Sequence, residues 1–175
     1  MNEDSKPRAV RPDPLTSQQR SYNMSRIRGR DTGPEWILRR ALHARGLRYR
    51  LHVKSLPGTP DIAFPARRAI IFVHGCFWHG HHCPKGVTPG TNITFWRDKI
   101  SRTRARDQAL DSELQVRGWR TLKVWECALR GRARLNLSIL IDQIEHWLVA
   151  GVPNQEIAGA WGAIDRSSVN RGKMS

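Results

Sequence analysis

The sequence predicts a three-layer α/β domain built around a mixed β-sheet, on three observations. Segments of helical spacing alternate with short apolar runs rich in Ile, Val and Phe, in the order helix, strands, helix, strand, helix. Gly and Pro stand at the junctions between them. A length of 175 residues with 39% hydrophobic content suits one compact core.

A polar stretch over residues 1–15 leads in, and Thr16-x-x-Gln19 forms a capping box that starts a helix toward Arg28. Its apolar members Tyr22, Met24 and Ile27 are sparse among Arg20, Arg26 and Arg28, so it is expected to lie on a partner such as DNA rather than on a deep core. Thr32-x-x-Glu35 is a second capping box. Pro34 sits in its first turn, Ile37, Leu38, Ala41 and Leu42 give an apolar stripe, and Gly46 is the stop. Leu47, Tyr49, Leu51 and Val53 alternate with Arg48, Arg50 and His52, the period of a half-buried strand. After a loop, Asp61-Ile62-Ala63-Phe64 and Ala69-Ile70-Ile71-Phe72-Val73 flank Pro65-Ala66-Arg67-Arg68 and read as a hairpin of two buried strands. Residues 92–117 are helical in character, with a break expected near Ser101 and Gly118 at the exit, and residues 119–125 read as another strand. Leu137, Leu140, Ile141, Ile144, Trp147 and Leu148 follow helical spacing, closed by Gly151. Residues 152–175 read as a polar tail with only Ile157, Trp161 and Ile164 to anchor it, so the folded domain is expected over residues 16–151.

Lys and Arg number 30 against 15 Asp and Glu, a formal charge of +15. That excess is beyond what solubility requires and points to a polyanionic partner, nucleic acid before an anionic membrane surface. A merely basic surface is the weaker reading, because Arg is used heavily over Lys and its planar fork suits phosphate oxygens and base edges. No run approaches the ~20 apolar residues of a membrane span, and the N-terminus lacks the apolar core of a signal peptide. A cytoplasmic protein is expected. Three cysteines are an odd number for a disulfide framework, and clustered with histidines they read as metal ligands.

The run from Val73 to Cys83 packs soft-metal ligands, imidazoles and two large aromatics together. Cys76, His81 and Cys83 form C-x4-H-x-C, and Cys127 can complete the three thiolates and one imidazole that tetrahedral zinc favours. His82 could replace His81, and the spacing leaves both open. His74 and His79 then remain for proton transfer near neutral pH. The plainer reading, that they are spare zinc ligands, is weaker because structural zinc stays four-coordinate. Phe77 and Trp78 lie between zinc ligands, so they are expected as exposed aromatics on a rigid base, able to enter a base stack. Trp96, read alone, is a core residue; Trp36, Trp119, Trp125 and Trp147 read as core or interface.

Pro60-Asp61 at the head of one strand, with Phe72-Val73-His74 ending the next, resembles the nuclease core in which a carboxylate and a neighbouring strand end hold Mg²⁺ against a scissile phosphate. A lone Pro-Asp would be an ordinary turn carboxylate. The context includes Asn23-Met24-Ser25-Arg26-Ile27, Leu56-Pro57-Gly58-Thr59-Pro60-Asp61, Val73-His74-Gly75-Cys76-Phe77-Trp78-His79, Phe95-Trp96 and Val124-Trp125-Glu126-Cys127-Ala128-Leu129-Arg130-Gly131. With these, the chain resembles the very-short-patch repair endonucleases from about Gln18 to Trp147.

That resemblance implies a restriction-endonuclease-like fold with a structural zinc. It also implies Mg²⁺-dependent cleavage of one DNA strand on the 5′ side of the thymine in a T·G mismatch, the product of 5-methylcytosine deamination. It implies Asp61 as the magnesium carboxylate, the main-chain carbonyl of Val73 as a further ligand, and Glu35 as a carboxylate holding the metal's water. His79 is implied as the imidazole that exchanges a proton, with His74 close by and Asp107 orienting an imidazole. Phe77 and Trp78, with Trp96 beside them and Met24 entering from the N-terminal helix, are implied as a wedge in the DNA. Many members carry Thr at position 73; Val there leaves a main-chain ligand intact and would remove a hydroxyl one. The nuclease core normally continues to a Glu-x-Lys, whose place Phe72-Val73-His74 takes, so an imidazole must do the missing lysine's work. The implied partners are double-stranded DNA, mismatch-repair proteins and a functionally linked cytosine-5 DNA methyltransferase, for a monomeric enzyme. Two readings compete with this one: a zinc-stabilised DNA-binding protein without catalysis, and a nuclease of the same fold with another substrate.

Overall fold

A computed structural model describes residues 29–161 together with Thr16, Gln18, Gln19, Tyr22 and Arg26. Within it, α1 spans Gly33–Ala44, β1 Ile62–Phe64, β2 Ala69–His74, α2 Ile93–Val116, β3 Arg120–Trp125, α3 Glu126–Leu129, α4 Leu137–Ala150 and β4 Gln155–Ile157. The sheet order is β1-β2-β3-β4, with β1 antiparallel to β2 and the remaining neighbours parallel. The expected α/β class and mixed sheet are both present.

Strand alternation produces the layers. Ala69 and Ile71 of β2, with Leu122 and Val124 of β3, face a core completed by Leu38 and Leu42 of α1 and Leu140, Ile141, Ile144 and Trp147 of α4. Ile70 and Phe72 point the other way, onto Leu114 and Leu110 of α2 and onto Trp119. Helices therefore cover both faces, as parallel strands require. The predicted hairpin closes through a 3-10 turn at Pro65–Arg67, and Ile62 pairs with Ile71. Glycine ends α4 where expected, with Gly151 at φ 69°.

Three expectations are corrected. Residues 47–53 make no strand: pairing is confined to a bridge between Arg50 and Ala63, and His52 at φ +46° turns the chain away. The alternation misleads because only part of it is used. Leu47 and Tyr49 pack on the core while Leu51 is exposed. No break occurs at Ser101, since a lone exposed Ser costs a helix only a few tenths of a kcal/mol, and α2 runs 24 residues unbroken. The segment after Gly151 is not all tail: β4 joins the sheet, Ile157 is buried, and Ala158 and Trp161 pack beside the cysteines.

At the N-terminus, Thr16 and Gln19 exchange the hydrogen bonds of the expected capping box, Thr16 N to Gln19 Oε1 at 2.9 Å and Gln19 N to Thr16 Oγ1 at 3.2 Å. Most of that helix, Met24 included, lies outside the described residues. No described helix is long and apolar enough to cross a membrane.

Candidate active site and metal centre

The chain leaving β2 coils at once into a tight loop. His79 N–H reaches Gly75 O at 3.2 Å and His81 N–H reaches Cys76 O at 2.9 Å, which turns Cys76, His81 and Cys83 toward one point. Gly86 packs so closely on the His81 carbonyl that a Cβ there would lie 1.8 Å from the oxygen. Cys127 arrives from the other side, on the short helix that follows β3. The three sulfurs and one nitrogen of His81 lie within 4.8 Å of one another, and all four residues are buried. His81 Nδ1 is 3.7 Å from Cys127 Sγ, close to the edge of a tetrahedron with metal–ligand bonds of about 2.0–2.3 Å. Burial pushes the Cys76 thiol up, so only a tightly held cation would ionise it. The cluster could hold zinc. His82 is exposed and stands outside the group.

Asp61 precedes β1 and hydrogen-bonds across the hairpin, its Oδ2 accepting from Val73 N–H at 2.8 Å. Burial pushes its carboxyl up to about 6, against the Val73 hydrogen bond and with help from the nearby Glu35. The ionised form of Asp61 is thus disfavoured chiefly by its removal from water.

His74 ends β2, and its ring stacks on that of His79 with centroids 3.8 Å apart and planes at 11°. His79 Nδ1 lies 2.5 Å from Asp107 Oδ2, offered by the middle of α2. Burial, then the neighbouring His79, drives His74 down to about 3, which keeps it neutral at working pH. Burial works to raise the Asp107 carboxyl, but the hydrogen bond and charge of His79 outweigh it and hold the group below its usual value. Asp61, Val73, Glu35, His74, His79 and Asp107 line one groove of about 1080 Å³. The unbroken α2 is what carries Asp107 to this point.

Glu35 is buried and fully engaged. Its Oε1 accepts from Thr32 Oγ1 at 2.8 Å and Thr32 N at 3.3 Å, and its Oε2 from Asp31 N at 3.1 Å and Arg39 Nη2 at 2.5 Å. These donors match the four acceptor positions of a carboxylate, so a water would have to displace one of them. Phe77, Trp78 and Trp96 meet edge to face, with centroids 5.0 to 6.2 Å apart. They are half-buried against one another rather than exposed, and Phe95 beside them is the exposed ring. Trp36 is exposed as well, not core, while Trp147 is buried.

The sequence model of the family described as DNA mismatch endonuclease Vsr matches residues 12–85. The Type II nicking enzyme V.XorIIP of Xanthomonas oryzae pv. oryzae is 50% identical over 117 residues, 67% of this chain and 86% of that protein. The DNA mismatch endonuclease Vsr of Escherichia coli K12 is 46% identical over 129 residues, 74% of this chain and 83% of that protein. The Type II nicking enzyme V.NmeAIP of Neisseria meningitidis serogroup A is 38% identical over 135 residues, 76% of this chain and 96% of that protein. The chain belongs to the Vsr DNA mismatch endonuclease family.

As a Vsr-family DNA endonuclease it hydrolyses phosphodiester bonds, and its groove gathers ionisable groups from α1, the residue ahead of β1, the end of β2, the following loop and α2. Several neighbours of these groups escaped the sequence reading. Arg39 is buried between Glu35 and Asp31, at 2.5 Å from each, and its i, i+4 spacing from Glu35 was a legible signal. Lys99 places Nζ 5.5 Å from the ring centroid of Trp96, one turn back along its helix, and 5.4 Å from that of Trp78 in the loop after β2. Trp125 stacks on His81 at 4.3 Å, a contact that no spacing reveals.

Proposed function

We propose that the protein nicks one strand of double-stranded DNA on the 5′ side of the thymine in T·G mismatches, using Mg²⁺, in a restriction-endonuclease-like domain stapled by zinc. The observation that carries this reading is the meeting of Asp61, tied to the end of β2, with the His79–Asp107 pair in one groove. Family membership supplies the mismatch.

Asp61 and the Val73 carbonyl would hold magnesium. The fit rests on Asp61 itself, a half-buried carboxylate whose raised proton affinity marks a place where a cation is favoured. When bound, the ion supplies Lewis-acid polarisation of the phosphate. Asp107 fixes the Nδ1 side of His79 and balances the charge of its imidazolium, which leaves Nε2 as the atom that takes or gives the proton. Neutral His74, stacked beneath, sets the tilt of that ring and adds no competing charge. Glu35 would hold water near a bound cation only by giving up one of its present donors, and Arg39 keeps it anchored at the groove wall. Cys76, His81, Cys83 and Cys127 would hold zinc, and their buried thiols fit no hard cation.

Phe77, Trp78 and Trp96 form the wedge, and the family reading adds Met24, which lies outside the described residues, to the same role. A step weakened by a mismatch opens at lower cost than a paired one, so the wedge favours the T·G site. The family reading also supports a single catalytic domain acting as a cytoplasmic monomer, linked in function to mismatch-repair proteins and a cytosine-5 DNA methyltransferase.

The test is a labelled T·G duplex incubated with Mg²⁺ or chelator, beside its fully paired counterpart. One nicked strand is expected, dependent on Mg²⁺, and abolished with binding retained in Asp61→Ala and His79→Ala. A duplex that is retarded but never nicked would favour the non-catalytic DNA-binding reading.

A further inference from the structure

The segment that follows β4 touches the cysteine cluster more intimately than a chain end needs to. Gly159 N–H donates to Cys127 Sγ at 3.3 Å. A Cβ on Gly159 would lie 2.5 Å from the Cys127 carbonyl oxygen and 2.7 Å from that of Ala133, both main-chain atoms with no room to give. Ala160 N–H in turn bonds to Ala133 O at 2.9 Å, and Ala158 and Trp161 pack on Cys76, Cys83, Trp125 and Cys127. On the opposite flank, Glu156 Oε2 accepts from Trp125 Nε1 at 3.0 Å, and the Trp125 ring lies stacked on His81 with planes at 24°. Beyond this apolar packing, the short strap makes a directed contact to two of the four candidate ligands, one through a hydrogen bond to sulfur and one through an oriented indole.

From this geometry we infer that residues 156–161 are the outer shell of the metal centre, with Gly159 as the positioning residue of Cys127 and Glu156, through Trp125, that of His81. The inference rests on the zinc reading above. An N–H directed at a thiolate stabilises its charge and fixes its lone pairs, and outer-shell contacts of this kind set how long a metal is retained. Glycine is required at 159 for close approach rather than for flexibility, since any side chain would push the amide off the sulfur. Parallel pairing of Leu122 with Gln155 and Val124 with Ile157 delivers the strap to this place, so the last strand of the sheet has a task beyond closing an edge.

The test uses full-length zinc-loaded protein and follows transfer of zinc to a chromogenic chelator well below the melting temperature. Gly159→Ala is expected to release zinc about 10- to 100-fold faster than the parent. Gln155→Ala, exposed on the same strand, should release it at the parental rate. In cobalt-loaded protein, Gly159→Ala should shift the thiolate charge-transfer band to lower energy, because a thiolate without its N–H donor is easier to oxidise; a loss of stability alone would not move that band. If Gly159→Ala fails to fold, Glu156→Ala carries the test, with faster release expected and Glu156→Gln restoring the parental rate. Parental release and an unmoved band in a folded Gly159→Ala, or parental release in Glu156→Ala, would overturn the inference. A parent that purifies without zinc and binds no cobalt would instead remove the zinc reading beneath it.

Discussion

Asp61 is a half-buried carboxylate whose protonation is tied to stability. Its folded-state proton affinity, raised to about 6, contributes stability below its unfolded value near 3.9, and that contribution is lost as pH climbs through about 6. Asp61→Asn is therefore expected to stabilise the cation-free protein at about pH 7, by up to about 3 kcal/mol, with little effect near pH 3. Urea midpoints at the two pH values measure this, and equal shifts at both would show that the carboxylate is not the cause. The same variant should lose nicking. His74 has the opposite sign: held down to about 3, it contributes above its unfolded value near 6.5, and that stability drains away as pH falls toward 3. Between about 3.9 and 6 the two slopes cancel, so the pair leaves the cation-free fold most stable above about 6.5, the side on which Asp61 is ionised and the proposed activity is expected.

At the scale of elements, α1 and the loop after β2 make distinct predictions. Arg39→Ala would leave Glu35 buried at the head of α1 without its cation, and breaking such a pair costs about 3–5 kcal/mol. Denaturant unfolding should show that loss, and a change below about 1 kcal/mol would mean that the remaining donors to Glu35 suffice. Phe77→Ala with Trp78→Ala should erase discrimination between T·G and paired duplexes more than overall binding, by roughly 1–3 kcal/mol per stacked base. Competition binding at fixed salt checks it, with melting curves to show that the loop survives. If the double variant keeps its preference, these rings are packing residues and recognition comes from base edges. The capping boxes, the hairpin and the α4 stripe were legible because each is a local pattern of caps, period and stops. The absent strand at residues 47–53 and the added strand β4 were not, because pairing depends on what lies alongside in space.

Across the whole molecule, the formal charge of +15 dominates encounter with DNA. Each phosphate neutralised releases counterions, so the logarithm of affinity should fall linearly with the logarithm of salt, with a slope near −0.9 per contact. Paired and mismatched duplexes should share most of that slope, since phosphates carry no information about pairing. Titrations over a series of salt concentrations test this, and a slope confined to the mismatched duplex would assign the charge to recognition instead of general affinity.

The sequence by itself determined the chemistry this protein carries: the thiolate and imidazole set, the Pro-Asp, the histidines of the loop after β2 and the basic balance, all properties of residue type and short spacing. It also determined the α/β class, because helix and strand periods are written locally. Only the tertiary structure decided which groups meet. Asp107 comes to His79 from 28 positions away, Cys127 to His81 from 46, and Gly159 to Cys127 from 32. Only it brought Arg39 into contact with His52, 13 positions on, filled the acceptors of Glu35 and half-buried Phe77, Trp78 and Trp96. The physical reason is that local preferences act over a turn or a few residues of strand, whereas sheet pairing and core burial fix separations that the one-dimensional pattern does not contain.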